Sequence, residues 1–164
     1  MTTYFARAIE EPVLEELRAA DDAGRGTVAV TDEEGGAPLR CCLRRSAPGE
    51  RIALVSYAPL RRWAAATGAD PGAYDEQGPV FIHAEECGGP RGDGLPFTNA
   101  HRTLRRYSDE GRLLGGRLVE DDFEAALTNA FDDPEVALVH VRAVEYGCFL
   151  YEVRRNRQAV VSGG

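Results

Sequence analysis

A histidine and a cysteine lie four positions apart, at the end of an apolar segment that starts at Val80. His83 and Cys87 are residue types that serve as nucleophile and base, or as metal ligands. In an extended chain their side chains would stand about 13 Å apart, too far for a proton transfer. We therefore interpret His83 as the site candidate and Cys87 as a loop thiol beside a glycine-rich segment. Cys148 or Cys42, meeting His83 across strands, would make a better thiol and imidazole pair.

Cysteine and histidine side chains are also zinc ligands, so a zinc site is an alternative. Zinc takes three or four ligands, and the remaining ones would have to come from Cys42, Cys148, His101 or His140 through folding alone. The sequence has no C-x-x-C pair, which is the pattern typical of zinc ribbons and of thioredoxin-type redox sites. We therefore assign no metal ligands and no cofactor, and we keep zinc as the third of three hypotheses.

Two predicted strands carry guanidinium groups next to residues that can do chemistry. In the segment from residue 39 to 44, alternation places Arg40 with Cys42 on one face and Cys41 in the core. In a later strand, His140 and Arg142 share a face. The planar guanidinium binds carboxylates and phosphates in a bidentate way, so such faces could line a cleft. A solvated outer face of a sheet would carry the same residues.

The composition excludes several classes of function. All 19 basic residues are arginine, so a lysine Schiff base and a lysine-dependent phosphate loop are ruled out. The net charge of -8 argues against nucleic-acid partners and anionic membranes, because both need clustered cations. The N-terminal residues lack the order of a signal peptide and no long apolar run occurs. We therefore expect a cytoplasmic protein whose four cysteines are reduced thiols.

Periodicity and turn residues predict the elements that position these side chains. The expected helices are a short one that starts around Glu10 to Pro12, two turns within residues 60–66, and a clear helix that starts around Glu120 and ends at Asp133-Pro134. The expected strands are residues 27–31, 39–44, 51–57, 80–84, 102–107, 112–119, 136–142 and 148–153. Short turns join three pairs of these strands into expected hairpins: 27–31 with 39–44, 102–107 with 112–119, and 136–142 with 148–153.

These elements predict a single α+β domain over residues 1–164, with a frayed tail at 155–164. The sheet should be mostly antiparallel and built from hairpins, with two or three helices packed on one face. An exposed sheet edge would leave homodimer formation open.

Several motifs, taken in order, resemble the bacterial domain of unknown function 1203 family. They are Pro38-x-Arg40, Pro48-Gly49-Glu50, Ser56-Tyr57, Tyr74, Gly78-Pro79-Val80-Phe81-Ile82-His83-Ala84, Arg106-Tyr107 and Gly147-Cys148-Phe149. The resemblance spans nearly the whole chain and implies a family name without an activity. The positions that match the family pattern are Arg40, Tyr57, Tyr74, His83 and Cys148. The family often has a cysteine where this chain has Leu39, so no metal or disulfide role is expected at that position.

We predict a small cytoplasmic enzyme-like protein that binds an anionic small molecule and needs no organic cofactor. His83 and Cys148 are the candidates for acid-base or thiol chemistry. The candidates for ligand binding are Arg40, Tyr57, Tyr74, Arg106, His140 and Arg142. The alternative is a non-catalytic module that binds a ligand or a partner protein through the same arginines, and the sequence leaves open whether the protein is catalytic.

Overall fold

The computed structural model describes residues 4–92 and 94–155. Its helices are α1 (Glu11–Ala19), α2 (Pro59–Thr67) and α3 (Phe123–Phe131). Its strands are β1 (Ala29–Asp32), β2 (Glu50–Tyr57), β3 (Gly78–His83), β4 (Arg102–Ser108), β5 (Leu113–Val119), β6 (Val136–Ala143) and β7 (Phe149–Arg154). The predicted tail lies outside the described residues except for its first member, Arg155. No helix in the described ranges is long and apolar enough to cross a membrane.

The strands form two antiparallel sheets, with strand orders β1-β2-β3 and β5-β4-β6-β7. All five strand pairs are antiparallel, and the predicted α+β class is confirmed. The predicted hairpin of residues 102–119 is present as β4 and β5, and the last predicted hairpin is present as β6 and β7. The strands thus divide between two sheets, which we call the first sheet (β1 to β3) and the second sheet (β4 to β7).

Helix α3 has a capped N-terminus and one buried apolar face, and both are features that its sequence displays. The Asp122 carboxylate accepts a hydrogen bond from the backbone N–H of Ala125 at 3.1 Å, which satisfies a free donor at the helix start. Phe123, Leu127 and Phe131 recur at helical spacing, and all three are buried. Packing of this face on the second sheet stabilises the helix far more than propensity does.

The helices are distributed over both sheets rather than over one face of a single sheet. Helix α1 shares a core with β2 and β3, and α3 shares another with β6 and β7. Trp63 of α2 packs with Tyr107 of β4 in a third, smaller cluster. Phe149 starts β7 of the second sheet, yet its ring belongs to the core of the first sheet. This ring links the two halves of the molecule.

The predicted strand at residues 39–44 is wrong, because the chain forms a tight turn there. The N–H of Leu43 donates to the carbonyl of Leu39 at 2.9 Å, and Leu43 itself has a positive φ of 58°. An isolated bridge joins Pro38 to Arg45, which closes the turn. The predicted pairing of this segment with residues 27–31 is therefore also wrong, since β1 pairs with β2. We refer to residues 38–45 as the 38–45 turn.

Candidate functional site

The 38–45 turn lies against β3 and directs its side chains into two different places. The backbone N–H of Arg40 donates to the carbonyl of Phe81 at 2.9 Å, which ties the turn to the first sheet. The N–H of Ile9 donates to the carbonyl of Arg40 at 3.0 Å on the other side. The Arg40 side chain then extends toward the second sheet, whereas the thiols of Cys41 and Cys42 approach His83.

Arg40 is the largest fully buried side chain, with 1% of its surface exposed. Its Nε donates to the carbonyl of Phe149 at 2.7 Å, and its Nη1 donates to the carbonyl of Pro38. Its Nη2 lies 3.2 Å from the Sγ of Cys148. Burial lowers the pKa of Arg40, and the nearby Arg102 and Arg45 charges add to that effect. The guanidinium is therefore fixed in orientation, with one nitrogen directed at a sulfur.

Arg40 and Cys148 line a cavity of about 480 Å³ between the two sheets. Its remaining lining residues are Gly36, Pro38, Arg45, Leu54, Pro79, Phe81, Arg102, Ala143, Glu145, Tyr146 and Leu150. The walls are mostly apolar, and three guanidinium groups interrupt them. We call this space the arginine cavity.

The arginine cavity carries more positive than negative charge. Arg102 pairs with Glu145 at 3.2 Å, and this glutamate is the acidic residue of the lining. Arg45 lies over the ring of Phe97, with 5.5 Å between its guanidinium carbon and the ring centroid. Among the residues that the structure describes, neither Arg40 nor Arg45 has a carboxylate partner. Two guanidinium charges of the cavity are thus not balanced by an ion pair within the described part of the chain.

His83 does not line the arginine cavity. Its Nδ1 lies 3.4 Å from the Sγ of Cys41 and 3.8 Å from the Sγ of Cys42, and its Nε2 lies 2.8 Å from a carboxylate oxygen of Glu50. With Cys87, these two cysteines and the histidine bring four ligand atoms within 4.8 Å of one another. We call Cys41, Cys42, His83 and Cys87 the thiol cluster; its donor types are those that hold soft divalent metals.

Backbone donors stabilise negative charge on the sulfurs of the thiol cluster. The N–H of His83 donates to the Sγ of Cys41 at 3.2 Å. A hydrogen bond from the Cys41 thiol, together with the backbone N–H and the charge of Arg44, lowers the pKa of Cys42 to about 6. The same thiol pairing raises the pKa of Cys41, and burial raises it further. One sulfur of the pair is therefore prepared to be a thiolate.

Cys87 reaches the cluster because the chain bends directly after β3. Arg18 of α1 holds the bend: its Nε donates to the carbonyl of His83 at 3.2 Å and its Nη2 donates to that of Glu85 at 3.0 Å. The backbone N–H of Ala84 donates to the carbonyl of Arg51 at 3.1 Å. The separation expected for an extended chain does not apply here, so Cys87, although it is a loop thiol as predicted, lies close to His83.

The family assignment follows from a comparison over this part of the chain. A family model described as protein of unknown function, DUF1203, matches residues 36–155. The chain belongs to this family. The matched DUF1203 span contains every lining residue of the arginine cavity and every member of the thiol cluster. No curated protein and no solved structure matches the chain.

The structure places the other site candidates of this DUF1203 chain outside both sites. His140 is fully buried, and its ring packs against Tyr107 and Phe149. Its Nε2 lies 3.0 Å from the Glu152 carboxylate. Arg142 is also buried, and its Nε donates to the carbonyl of Gly147. The face of β6 that His140 and Arg142 share is thus buried in the protein interior and does not line either site.

Three further candidates lie apart from one another. Tyr57, at the end of β2, meets the Phe149 ring edge-on at 5.6 Å, and burial raises the pKa of its phenol. Tyr74 is exposed in the connection between α2 and β3. The guanidinium of Arg106 crosses over Gly115 of β5, where a side chain would collide with it.

Sequence reasoning missed Arg45 and Arg102 in the arginine cavity, and Cys41 and Glu50 at the thiol cluster. No local pattern marks the two arginines, because they meet only through the packing of the two sheets. The consecutive Cys41 and Cys42 were the available sequence signal for the thiol cluster. Two consecutive thiols can approach the same point only where the backbone turns, so a shared site for them would also have indicated a turn.

Proposed function

We propose that this protein binds a small organic anion in the arginine cavity, with the thiol of Cys148 in contact with the bound molecule. The observation that carries the proposal is the 3.2 Å contact between Arg40 Nη2 and Cys148 Sγ, inside a cavity where two guanidinium groups have no carboxylate partner among the described residues. A volume of about 480 Å³ lies within the range of small-molecule sites.

The chemistry of the walls defines the class of ligand. A carboxylate or similar anionic group would bind the guanidinium nitrogens of Arg45 and Arg40. An apolar part of the same molecule would pack on Phe81 and Leu54 of the first sheet and on Leu150 of the second. A small molecule with one anionic end and one apolar end satisfies both conditions.

Cys148 gives the site a potential nucleophile. The Arg40 guanidinium beside the sulfur stabilises negative charge on it during attack on an electrophilic carbon. His83 lies in the thiol cluster instead, so the proposal assigns no acid-base role in this cavity to it. Binding alone would make the protein a ligand-binding module, and reaction at the sulfur would make it an enzyme.

We place this function in the cytoplasm, where thiols stay reduced, since all four cysteines are free. The net charge of -8 favours a small ligand over nucleic acid or an anionic membrane as the partner. The cavity provides a local positive site on a protein that is acidic as a whole.

Two alkylating reagents of nearly equal size test the proposal. Iodoacetate is an anion and iodoacetamide is neutral. A thiolate displaces iodide from either one and forms a C–S bond, so that iodoacetate leaves a carboxymethyl group and iodoacetamide leaves a carbamoylmethyl group on the sulfur. We expect the rate ratio of iodoacetate to iodoacetamide at Cys148, measured by peptide mass spectrometry, to exceed the ratio for free glutathione by about tenfold, the equivalent of about 1.4 kcal/mol.

Protection supplies the matched control. Benzoate should slow the reaction of Cys148 with iodoacetamide, whereas benzamide, which is neutral and of the same shape, should not. A rate ratio equal to that of glutathione, or equal protection by benzoate and benzamide, would show that the cavity does not select anions and would overturn the proposal.

A further inference from the structure

The thiol cluster joins soft ligands from three separate parts of the chain. Cys41 and Cys42 come from the 38–45 turn, His83 is the last residue of β3, and Cys87 follows the bend after it. Three of the four members are buried, and Cys87 is partly exposed. Each side chain contributes one atom that zinc binds in proteins.

The distances match those of a tetrahedral zinc site. With Zn–S bonds of about 2.3 Å and Zn–N bonds of about 2.0 Å, sulfur and nitrogen ligands stand roughly 3.6 Å apart, and two sulfurs roughly 3.8 Å apart. In the cluster, Nδ1 of His83 lies 3.4 Å from the Sγ of Cys41 and 3.8 Å from that of Cys42. All four ligand atoms are within 4.8 Å of one another, so shifts of about 1 Å or less would place them around one ion.

We propose that Cys41, Cys42, His83 and Cys87 form a four-coordinate centre for a soft divalent metal, zinc above all. This proposal is independent of the proposed anion-binding function, because no member of the thiol cluster lines the arginine cavity. Four protein ligands would close the coordination sphere, which is typical of structural rather than catalytic zinc.

Glu50 prepares His83 for the metal. Its carboxylate accepts a hydrogen bond from Nε2 of His83 at 2.8 Å, which leaves the lone pair of Nδ1 directed at the sulfurs. The other carboxylate oxygen of Glu50 accepts a bond from the backbone N–H of Ala47 at 2.6 Å, so the carboxylate is itself held in place. A carboxylate, a histidine and a metal in this order fix the tautomer and strengthen the ligand.

Arg44 provides the charge that such a centre needs. Three thiolates around a divalent ion leave one net negative charge, and a nearby cation offsets it. Arg44 lines the same depression as His83, Cys87 and Glu50. Its Nε is buried and has no hydrogen-bond partner among the described residues. Arg44 therefore brings a positive charge and a free donor to the wall of the depression that leads to the cluster.

The metal can reach the cluster from solvent. His83 and Cys87 line an open depression of about 320 Å³, whose walls also include three glutamates (Glu50, Glu85 and Glu86) and two arginines (Arg44 and Arg51). Acidic side chains at the mouth attract a divalent cation. The partly exposed Cys87 would therefore be the last ligand to bind, and it would close the site over the ion.

Cobalt(II) is the probe that tests this centre, since it takes the place of zinc and gives visible bands in a tetrahedral thiolate site. The full-length chain, reduced and stripped with a chelator, is titrated with CoCl2 and then with ZnCl2. We expect one cobalt per chain, a thiolate-to-cobalt charge-transfer band, and complete displacement by zinc.

Two cysteine variants make the titration decisive. Cys87→Ser removes the most exposed ligand and should weaken cobalt binding by more than the 10- to 100-fold that is typical for loss of an outer-shell partner. Cys148→Ser removes a thiol outside the cluster and should bind cobalt as the unaltered chain does. Circular dichroism confirms that both variants are folded.

Either of two results would overturn the proposal. The first is a folded chain with four titratable thiols that binds neither cobalt nor zinc. The second is equal affinity of Cys87→Ser and Cys148→Ser, since metal would then bind elsewhere.

Discussion

Arg40 and Cys41 are consecutive residues whose side chains belong to different sites. The guanidinium of Arg40 reaches the sulfur of Cys148 in the arginine cavity, whereas the thiol of Cys41 lies 3.4 Å from His83 in the thiol cluster. The 38–45 turn therefore connects the two sites through one peptide bond. Whatever orders this turn at one site orders it at the other.

Zinc should raise the thermal stability of the reduced protein. A ligand that binds only the folded chain adds about 2.7 kcal/mol to the free energy of unfolding when its concentration is 100 times its dissociation constant. Differential scanning calorimetry with and without ZnCl2 measures the rise in the unfolding midpoint. Cys87→Ser should lose the rise and Cys148→Ser should keep it; a midpoint that zinc leaves unchanged in all three proteins contradicts the prediction.

Glu50→Gln should weaken zinc binding by about 10- to 100-fold without abolishing it. The amide can still hydrogen-bond to His83, but it no longer supplies the negative charge that strengthens the Nδ1 ligand. Competition between the protein and a chromophoric chelator gives the dissociation constants. Glu135→Gln, at an exposed glutamate of the second half of the chain, is the matched control. Equal constants for the two variants would mean that Glu50 does not support a metal ligand.

Arg45→Gln should reduce the protection of Cys148 by benzoate about tenfold. A hydrogen bond to a charged group contributes about 1.5 to 3 kcal/mol, and its loss affects the anion but not benzamide. Arg117→Gln is the matched control, because it removes an exposed guanidinium that bonds to Asn129 on the surface. Benzoate should protect Cys148 in this variant as well as it does in the unaltered chain. Unchanged protection in Arg45→Gln would remove this residue from the binding site.

Zinc and benzoate should bind cooperatively because both order the 38–45 turn. We expect zinc loading to lower the benzoate concentration needed for half protection of Cys148 by about fivefold or more. Benzoate must then raise the affinity for zinc by the same factor, since coupling free energies are reciprocal. Protection curves that coincide for the metal-free and zinc-loaded protein would show that the turn is rigid without either ligand.

The Glu152 carboxylate should make the metal-free protein lose stability in acid. Burial alone would raise the pKa of Glu152, but the hydrogen bond and charge of His140, together with Arg154, lower it from 4.5 to about 2. A lowered pKa in the folded state stabilises the protein above the unfolded pKa. This contribution, on the order of 3 kcal/mol, is lost as the pH falls from about 4.5 to about 2.

Urea unfolding in the presence of a chelator, repeated between pH 6 and pH 2, tests this dependence. Glu152→Gln should flatten the slope of stability against pH in the acidic window. The carboxylate of Glu135 is largely exposed, so the control variant Glu135→Gln should leave this slope unchanged. A slope that is the same in Glu152→Gln as in the unaltered chain would assign the acid sensitivity to other groups.

The parts of the fold with strong local signals were predictable. Helix α3 follows from the spacing of Phe123, Leu127 and Phe131 and from the cap at Asp122, because these forces act within one turn of the chain. The hairpin of β6 and β7 follows from apolar strands on both sides of a turn at Gly147. Such features depend on neighbours in sequence, so the sequence displays them.

The 38–45 turn was not predictable because its determinants are distant. The segment alternates apolar and charged residues as a strand does, yet Leu39, Arg40, Cys41 and Cys42 are all buried. Four consecutive buried residues need cover on every side, which β3, Ile9 and β7 supply from far along the chain. No window of local sequence contains that information.

The candidate site was predictable only in part, for the same reason. The sequence predicts Arg40, His83 and Cys148 as site residues, but as members of a single site. Their division between two sites depends on which way each side chain leaves the 38–45 turn and β3. Cys87 joined the cluster through a bend that Arg18 holds from another element.

Phe149 holds the two opposing walls of the arginine cavity at a fixed spacing, so that the cavity is a slot. Its ring is embedded in the core of the first sheet, while its backbone continues as a strand of the second and receives the Arg40 guanidinium. Separating the sheets would expose this ring and break that bond, so the opposing walls hold their spacing. Under the proposed function, such a slot would distinguish straight-chain acids by length: short acids would leave its far end hydrated, and acids longer than the slot would leave their tails in water.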